Sequence, residues 1–331
     1  MSLPADILRA IEGRRALVTG GTGMIGREVV RLLLEGGAEV TSVSLDRLQP
    51  VHGARYVHGD LSDLGLCLDL TADMDLVLHV AGIKGSVKVT QSRPASFFVP
   101  LLMMNTNMLE AARRNNVDHV VYTSSIGAYS PGEVFREAEH DPALPPMDMF
   151  PGWAKRMAEM QVEAYRIQYG LRNFAVVRPS NVYGPGDNFD PDNAMVIPTL
   201  MAKVARGDDP VEIWGDGSAV RDFVFAEDAA RGIILACVRG TGDGFINIGG
   251  PRGVTIRELV ETLQRVTPFN ARFDPSKPGG FPRRVMELDH ARATVGYDPA
   301  VSLEEGLSRT WAWYRTNRAE HLSKQNYFAE A

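Results

Sequence analysis

Short apolar runs alternate with helical patterns over the first half of the chain. The segment 24–35 carries its apolar side chains on one helical face, and Gly36 and Gly37 follow it as a stop signal. Runs rich in β-branched residues predict strands at 15–19, 39–45, 76–80, 117–123 and 173–178. Helical patterns near 97–114 and 153–169 lie between these strands. The alternation predicts a parallel sheet covered by helices on both faces.

The pattern changes after Pro179. Glycine, proline and aspartate cluster over 179–193, and the stretch 268–284 is also rich in loop-forming residues. Helices are predicted near 195–206, 227–239 and 302–316, with short strands and turns over 211–250. We therefore expect an α/β chain with a doubly wound parallel sheet and a smaller C-terminal α/β lobe. The expected first domain is 1–178 with 222–250, and the second is 179–221 with 251–331.

Composition narrows the class of protein without indicating its chemistry. The 331 residues include 35 Lys and Arg against 41 Asp and Glu, a formal charge of −6 that argues against general binding to nucleic acid or anionic membranes. Cys67 and Cys237 lie far apart, which excludes a disulfide framework and a cysteine zinc site. No apolar stretch approaches the ~20 residues that span a bilayer, and the N-terminus shows no signal peptide. These features predict a soluble cytoplasmic protein without a metal site.

The first motif with a chemical meaning is the glycine pattern that follows the first predicted strand. Gly20, Gly23 and Gly26 have the spacing G-x-x-G-x-x-G, and Met24 and Ile25 begin the predicted helix. Glycines at such a turn let the backbone approach a pyrophosphate, and the helix N-terminus offers free N–H groups. A strand–turn–helix context favours a dinucleotide site over an ordinary glycine-rich turn.

Residues after the second predicted strand, and two further along the chain, bear on the choice of dinucleotide. Asp46 is placed to accept a ribose hydroxyl of NAD, although it comes slightly late and Ser44 holds the more usual position. Arg47 would instead suit the 2′-phosphate of NADP. We expect NAD, with NADP possible. Asp60 and Leu61 are candidates to meet the adenine, and Asp60 is equally well explained as a turn residue.

Four segments occur in the order typical of one enzyme family: GDL at 59–61, YTSS at 122–125, RPSNVYGP at 178–185 and RDFV at 221–224. With the glycine motif, they make residues 14–318 resemble the extended short-chain dehydrogenase/reductase family of nucleotide-sugar enzymes. Within it, the chain is similar to the GDP-fucose synthases at GDNF (186–189), VIP (196–198), KPGGFPR (277–283) and SLEEGL (302–307). The resemblance implies a Rossmann-type fold, a nicotinamide cofactor, a GDP-sugar substrate and a homodimer.

The resemblance also implies a serine and a Tyr-x-x-x-Lys motif for proton transfer. Ser125 matches the serine and Lys155 the lysine, but Pro151 stands where the tyrosine belongs. GDP-fucose synthases invert carbons next to a ketone with a cysteine and a histidine, and this chain has Gly127 and Met195 at those positions. None of these three replacements can transfer a proton. The chain is therefore not expected to be a working GDP-fucose synthase.

Other polar residues are candidates for the missing function or for binding. Tyr129 and Lys84 could replace the lost proton donor, although Tyr129 is also explained by packing and Lys84 by solvent or substrate contact. Lys155 could serve only to hold the nicotinamide ribose. The resemblance implies that Arg221 and Arg283 hold the diphosphate. It also implies substrate contacts from the sequence positions Asn181, Asp187 and Val196.

Three hypotheses about the reaction follow. The first is a GDP-sugar isomerase that holds NAD and causes no net redox change, through transient oxidation of the sugar or as a pyranose–furanose mutase. The second is an NADP-dependent reductase or epimerase of a GDP-4-keto-6-deoxy sugar with a relocated proton donor. The third is a protein that binds nucleotide sugars without catalysis.

Overall fold

The computed structural model describes residues 3–83, 87–190, 193–242 and 244–317, without the side chains of 87–89. Its helices are α1 (Ala5–Ile11), α2 (Met24–Glu35), α3 (Leu64–Thr71), α4 (Val87–Ser92), α5 (Pro94–Arg114), α6 (Met149–Tyr169), α7 (Val196–Arg206), α8 (Ala226–Arg239), α9 (Ile256–Val266), α10 (Asp289–Val295) and α11 (Leu303–Thr316). Its strands are β1 (Arg15–Thr19), β2 (Glu39–Ser44), β3 (Arg55–His58), β4 (Leu76–His79), β5 (His119–Thr123), β6 (Val134–Phe135), β7 (Phe174–Pro179), β8 (Asn181–Tyr183), β9 (Val211–Trp214), β10 (Val220–Phe225), β11 (Ile246–Ile248), β12 (Gly253–Thr255), β13 (Ala271–Asp274) and β14 (Arg283–Met286).

Seven strands form a parallel sheet in the order β11-β7-β5-β4-β1-β2-β3. One hydrophobic cluster joins a face of this sheet to α1, α2, α8 and α10, and a second cluster joins the other face to α3, α5 and α6. The central strands are buried on both faces, which explains why they are continuous apolar runs rather than alternating ones. The predicted doubly wound α/β fold is confirmed.

The predicted strands of the first half are β1, β2, β4, β5 and β7, with ends that differ by at most two residues. Helix α6 begins four residues before the predicted start at 153, because Pro151 lies in its first turn, where a missing N–H costs nothing. The prediction did not include α1, α3, α4, α9 and α10. The stretch at 268–284, predicted as loop, contains β13, a four-residue strand held by parallel pairing to β9.

The smaller lobe is built on a second sheet with the order β12-β10-β14-β6, in which β8 also pairs with β10. A third hydrophobic cluster lies between these strands and α7, α9 and α11. The predicted division at 178, 222 and 250 stays a prediction about folding units. Strand β11 and helix α8 do return to the large sheet, and Ala291, Val295 and Tyr297 also pack into the first cluster.

Membrane insertion can be assessed from helix length and hydropathy. Among the described helices, none is long and apolar enough to cross a bilayer.

Candidate active site

The turn between β1 and α2 requires glycine at several positions. Gly20 has φ +69°, and a Cβ there would lie 2.9 Å from the Cα of Ala81. A Cβ on Gly26 would collide with the carbonyl oxygen of Gly20, so α2 can start this close to the turn only without a side chain. The turn therefore packs closely against the segment that follows β4.

The start of α2 fits the pyrophosphate of a dinucleotide. The first N–H groups of an α-helix have no partner within the helix, and the N-cap residue Gly23 supplies no side chain to satisfy them. Met24 and Ile25 contribute two of these N–H groups, at the positive end of the helix dipole. On the lobe side, a Cβ on Gly186 would lie 3.7 Å from the Cα of Met24, so the loop after β8 reaches this helix start.

The residues at and after the end of β2 bear on whether the site suits the 2′-hydroxyl of NAD or the 2′-phosphate of NADP. Ser44 is buried, and its hydroxyl accepts a hydrogen bond from the Thr22 N–H at 3.3 Å, so the usual position of a ribose-binding acid holds a structural serine. Asp46 follows half-buried, and Arg47 is exposed. After β3, Asp60 is exposed and its Oδ1 accepts the Ser62 N–H at 2.9 Å, which is turn geometry. Leu61 is buried in the second cluster.

Ser125 and Lys155 lie at the carboxyl ends of the central strands. Ser125 follows β5, and its Oγ accepts the N–H of Gly127 at 3.1 Å. The ammonium of Lys155, on α6, donates to the carbonyl of Thr123 at 2.7 Å and lies 3.6 Å from the Cβ position of Gly82, just beyond β4. Burial lowers the pKa of Lys155 to about 8. The glycine turn, the serine and the lysine thus share one edge of the sheet, where ligands bind in such folds.

The packing of Tyr129 favours a structural role. Its side chain is 3% exposed, and its hydroxyl donates to the Oδ1 of Asn247 at 2.9 Å. The guanidinium of Arg178 lies 4.3 Å from its ring centre. Burial raises the pKa of Tyr129 far above its ordinary value, so the hydroxyl holds its proton tightly. The other suggested replacement, Lys84, lies outside the described residues.

A buried ion pair lies next to the segment that carries Ser125 and to the helix that carries Lys155. Arg178 on β7 is fully buried and forms two hydrogen bonds to Glu159 on α6, at 2.9 and 2.6 Å. Glu159 also accepts a hydrogen bond from the hydroxyl of Ser124 at 2.5 Å. Glu159 lies one turn after Lys155, so the pair fixes α6 against the end of β5. Sequence inspection missed Glu159 because its partners lie 19 and 35 positions away.

Asp148 lies at the N-terminus of α6, close to Gly127. Its carboxylate does not cap the helix. A Cβ on Gly127 would collide with its Oδ2 and lie 2.9 Å from its Cγ, so this carboxylate fills the space of the missing side chain at 127. Its Oδ1 lies 3.9 Å from a guanidinium nitrogen of Arg284. Burial raises the pKa of this carboxyl, and Arg284 opposes that rise.

Two arginines face the site from the smaller lobe, and one of them is not the expected residue. Arg221 on β10 and Arg284 on β14 are direct neighbours in the strand pairing, so their side chains project to the same side. Burial lowers the pKa of each guanidinium. Arg283, which the resemblance implied, pairs with Val220 on the opposite side and is exposed. The structure therefore places Arg284, rather than Arg283, beside Arg221.

The remaining predicted substrate residues lie around this arginine pair and the adjoining loop. The amide of Asn181 donates to the carbonyl of Asp222 at 2.8 Å, and Asp187 is buried and shapes its loop by accepting the Asn188 N–H at 2.7 Å. Val196 is the half-buried first residue of α7.

Trp214 at the end of β9 is 57% exposed, with the ammonium of Lys277 5.5 Å from its ring centre. An aromatic face beside a cation suits a nucleobase and its phosphates.

Comparison with known proteins agrees with this geometry. The model of the NAD dependent epimerase/dehydratase family matches residues 16–249. A dTDP-4-dehydro-6-deoxy-D-allose reductase of a Streptomyces species is 34% identical over 92% of this chain and 98% of its own. GDP-L-fucose synthase 1 of Arabidopsis thaliana is 32% identical over 92% of this chain and 94% of its own. The crystal structure of UDP-glucose 4-epimerase from Thermotoga maritima with UDP-glucose superimposes with a TM-score of 0.81 at 28% identity, covering 92% of this chain and 99% of that one.

Proposed function

This chain belongs to the NAD dependent epimerase/dehydratase family, and from that premise we propose that it reduces a keto group on the sugar of a nucleoside diphosphate 6-deoxyhexose without inverting the neighbouring carbons. The coarser function, modification of a nucleotide sugar with NAD or NADP, follows from the family and its relatives. The finer reaction is supported by what the site keeps and what it has lost.

The observation that carries the proposal is the chemistry at positions 127 and 195. Inversion beside a ketone needs groups that remove and return protons on carbon, and Gly127 and Met195 offer none. The space beside Gly127 holds the carboxylate of Asp148, a single ionisable group, whereas the inverting GDP-fucose synthases use a cysteine and a histidine together and Met195 supplies no second group. The relative named as a 4-dehydro-6-deoxy sugar reductase favours simple reduction.

The protein's own groups then have separate tasks. Bound nicotinamide supplies the hydride for the sugar carbonyl carbon. Lys155 donates one hydrogen bond to Thr123, and its ammonium keeps two further N–H donors for the ribose of the cofactor. Ser125 offers its hydroxyl to the sugar oxygen that changes between ketone and alcohol. Arg221 and Arg284 hold the diphosphate, for which the planar guanidinium is well shaped.

An isomerase without net redox change is the second candidate. Asp46 after β2 favours NAD, and an enzyme that retains NAD can oxidise and then reduce the same sugar. The structural similarity to a UDP-glucose 4-epimerase is the observation in favour of this function. The mutase version of this hypothesis has no separate support in the geometry.

The two candidates differ in cofactor stoichiometry. We expect the purified protein to oxidise one NADPH or NADH for each GDP- or dTDP-4-keto-6-deoxyhexose that disappears, followed by nicotinamide absorbance and NMR of the sugar. Conversion of a GDP-hexose with unchanged NAD would favour the isomerase. Tight binding of nucleotide sugars without turnover would contradict both functions. It would favour the third hypothesis, a protein that binds nucleotide sugars without catalysis.

We propose GDP as the nucleotide, with Trp214 and Lys277 beside the base. The proposal rests on the similarity to GDP-fucose synthases, whereas the dTDP-sugar relative is the competing alternative. Titrations with GDP, dTDP and UDP separate them: GDP should bind most tightly, and stronger binding of dTDP would overturn this choice.

We also propose a homodimer formed through α5 and α6. These helices lie side by side, with Phe98 against Phe150 and the amide of Gln161 donating to the carbonyl of Thr106 at 3.1 Å. Large apolar side chains are exposed on both helices: Val99 and Met103 on α5, and Phe150, Met157, Met160 and Ile167 on α6. Several large exposed apolar side chains on two neighbouring helices are typical of a protein interface.

A further inference from the structure

One ionisable side chain in the candidate site has no task in the reaction described so far. Asp148 precedes α6, yet its carboxylate caps no N–H of that helix. Instead it lies over Gly127. The peptide of Gly127 connects it to the serine, because the Gly127 N–H donates to Ser125 Oγ at 3.1 Å and the Gly127 carbonyl accepts the Asp148 N–H at 3.3 Å. Gly127 is therefore bonded to Ser125 through its N–H and to the Asp148 backbone through its carbonyl, while the Asp148 carboxylate lies where its Cβ would be.

The surroundings of Asp148 suit a group that exchanges protons. Its side chain is 44% exposed, so water can return a proton to it from the cleft. Burial of part of the carboxyl raises its pKa above the ordinary aspartate value. A carboxyl whose pKa moves towards neutrality can donate and accept protons more readily in that range.

The charges around Asp148 come from several elements. Arg284 on β14 is 3.9 Å away, and Arg221 on β10 lies beside Arg284 in the strand pairing. On α6 the nearest cations are Lys155 and Arg156, about 10 Å further along the helix at 1.5 Å per residue. The adjoining segment at 125–127 carries no charge. The neighbouring cations stabilise the carboxylate that remains once the proton has left.

We propose that Asp148 is the proton donor and acceptor for the sugar oxygen, in place of the tyrosine that Pro151 replaces. This proposal rests on the proposed function. In reduction, the O–H bond of the Asp148 carboxyl breaks and the carbonyl oxygen of the sugar gains that proton while the carbonyl carbon gains hydride. The products are the alcohol and the Asp148 carboxylate, which water reprotonates. Oxidation runs the same transfers in reverse.

The alternatives among the described residues are less suited to this task. The Tyr129 hydroxyl is buried and donates to Asn247. Lys155 is held against the Thr123 carbonyl. Glu159 is engaged by Arg178 and Ser124.

The test compares Asp148→Asn with the matched control Asp141→Asn, a carboxylate on the same segment whose Oδ1 accepts the Ala143 N–H. Loss of a general acid–base group costs about 100-fold to 10,000-fold in rate, so we expect kcat of D148N to fall in that range. KM and the affinity for GDP should change little, and D141N should match wild type. Asp148→Glu should recover part of kcat, since it restores the carboxyl.

A second variant disturbs the position of the carboxylate without removing it. Gly127→Ala keeps Asp148 but forces its carboxylate to move, so kcat should fall in this variant as well. A readout without turnover is infrared difference spectroscopy of wild type against D148N across pH. We expect a carboxyl band that titrates above the ordinary aspartate value of about 3.9.

The outcomes separate the two levels of the proposal. An active wild type whose D148N variant keeps its kcat and pH profile would overturn the role of Asp148 and leave the proposed function standing. A wild type that converts no nucleotide sugar with NAD(H) or NADP(H) would overturn both. A folded D148N with lost kcat and unchanged KM supports the assignment.

Discussion

Asp222 is a buried carboxylate close to the site with several hydrogen-bond donors around it. It lies on β10 with no exposed surface, and it accepts hydrogen bonds from Ser180 Oγ at 2.7 Å, Gly250 N at 2.7 Å and Met286 N at 3.1 Å. In Asp222→Asn, one oxygen becomes an NH₂ group that would face a donor. We expect D222N to lower the free energy of unfolding by about 1–3 kcal/mol, measured by urea denaturation.

The pH dependence of the same variant has a definite sign. Burial raises the pKa of Asp222 to about 6, against about 3.9 in the unfolded chain. Its contribution to stability is therefore fully present below pH ~4 and is lost as the pH rises through about 6. The stability difference between wild type and D222N should shrink from pH 4 to pH 7. A difference that grows with pH would contradict the raised pKa.

The residues after β2 give a second residue-level prediction. If Asp46 holds the ribose of NAD, Asp46→Ala should weaken NAD binding about tenfold or more, the effect of one hydrogen bond to a charged group. NADP binding should change little. Arg47→Ala provides the matched comparison, and a loss of NADP affinity in that variant alone would show that the protein prefers NADP. Fluorescence titration of the reduced cofactors measures both.

At the residue level, the sequence brings together positions linked by local spacing, whereas neighbours set by strand register or long-range contact need the structure. The glycine turn, Ser125 and Lys155 fall at one edge of the sheet because their positions follow from chain-local spacing. The exchange of Arg283 for Arg284 depends on the register of β14 against β10, which spacing along the chain does not determine. Asp148 was missed for a related reason: its significance comes from contact with a glycine 21 positions earlier.

At the level of elements, the start of α6 is the most sensitive junction. A Cβ on Gly152 would lie 2.6 Å from the carbonyl oxygen of Gly127 and 2.7 Å from Pro146 Cβ. Glycine to alanine within a helix ordinarily gains about 1 kcal/mol. We expect the opposite sign for Gly152→Ala, a loss of about 1–3 kcal/mol from overpacking, with a lower kcat because α6 carries Asp148 and Lys155.

The control for this variant is Gly244→Ala, where a Cβ meets nothing within 4 Å. Thermal unfolding and kcat should be unchanged there. A G152A protein as stable as wild type would show that α6 does not pack on Gly127 as described.

Most long, patterned elements were predicted, although α9, with eleven residues, was not, and several short elements were missed as well. Strands β1, β2, β4, β5 and β7 and helices α2, α5, α7, α8 and α11 were recognisable because each carries several apolar residues at one period. Helices α1 and α10 have seven residues each, and strand β13 has four. Such elements are stabilised by the partners they pack against, which the local pattern does not name.

At the scale of the whole molecule, the exposed apolar surface on α5 and α6 determines the expected assembly. Met160 is 59% exposed on α6, and a charge there would have to be buried in the proposed dimer. We expect Met160→Glu to shift the protein from dimer to monomer in light scattering after size-exclusion chromatography. Leu144→Glu is the control, since Leu144 is equally apolar and exposed but lies outside both helices. A monomeric wild type would contradict the dimer.

The arrangement of two lobes around one sheet edge leads to the central claim, that this chain reduces a nucleotide-linked ketone without inverting its neighbours. The most direct measurement uses NADPH or NADH deuterated at the transferred hydrogen, with GDP- and dTDP-4-keto-6-deoxyhexose as substrates in ordinary water. We expect NMR to show one deuterium on the former carbonyl carbon and one equivalent of oxidised cofactor, with the neighbouring carbons unchanged in configuration. Inverted neighbouring carbons, or sugar products without deuterium, would contradict the claim.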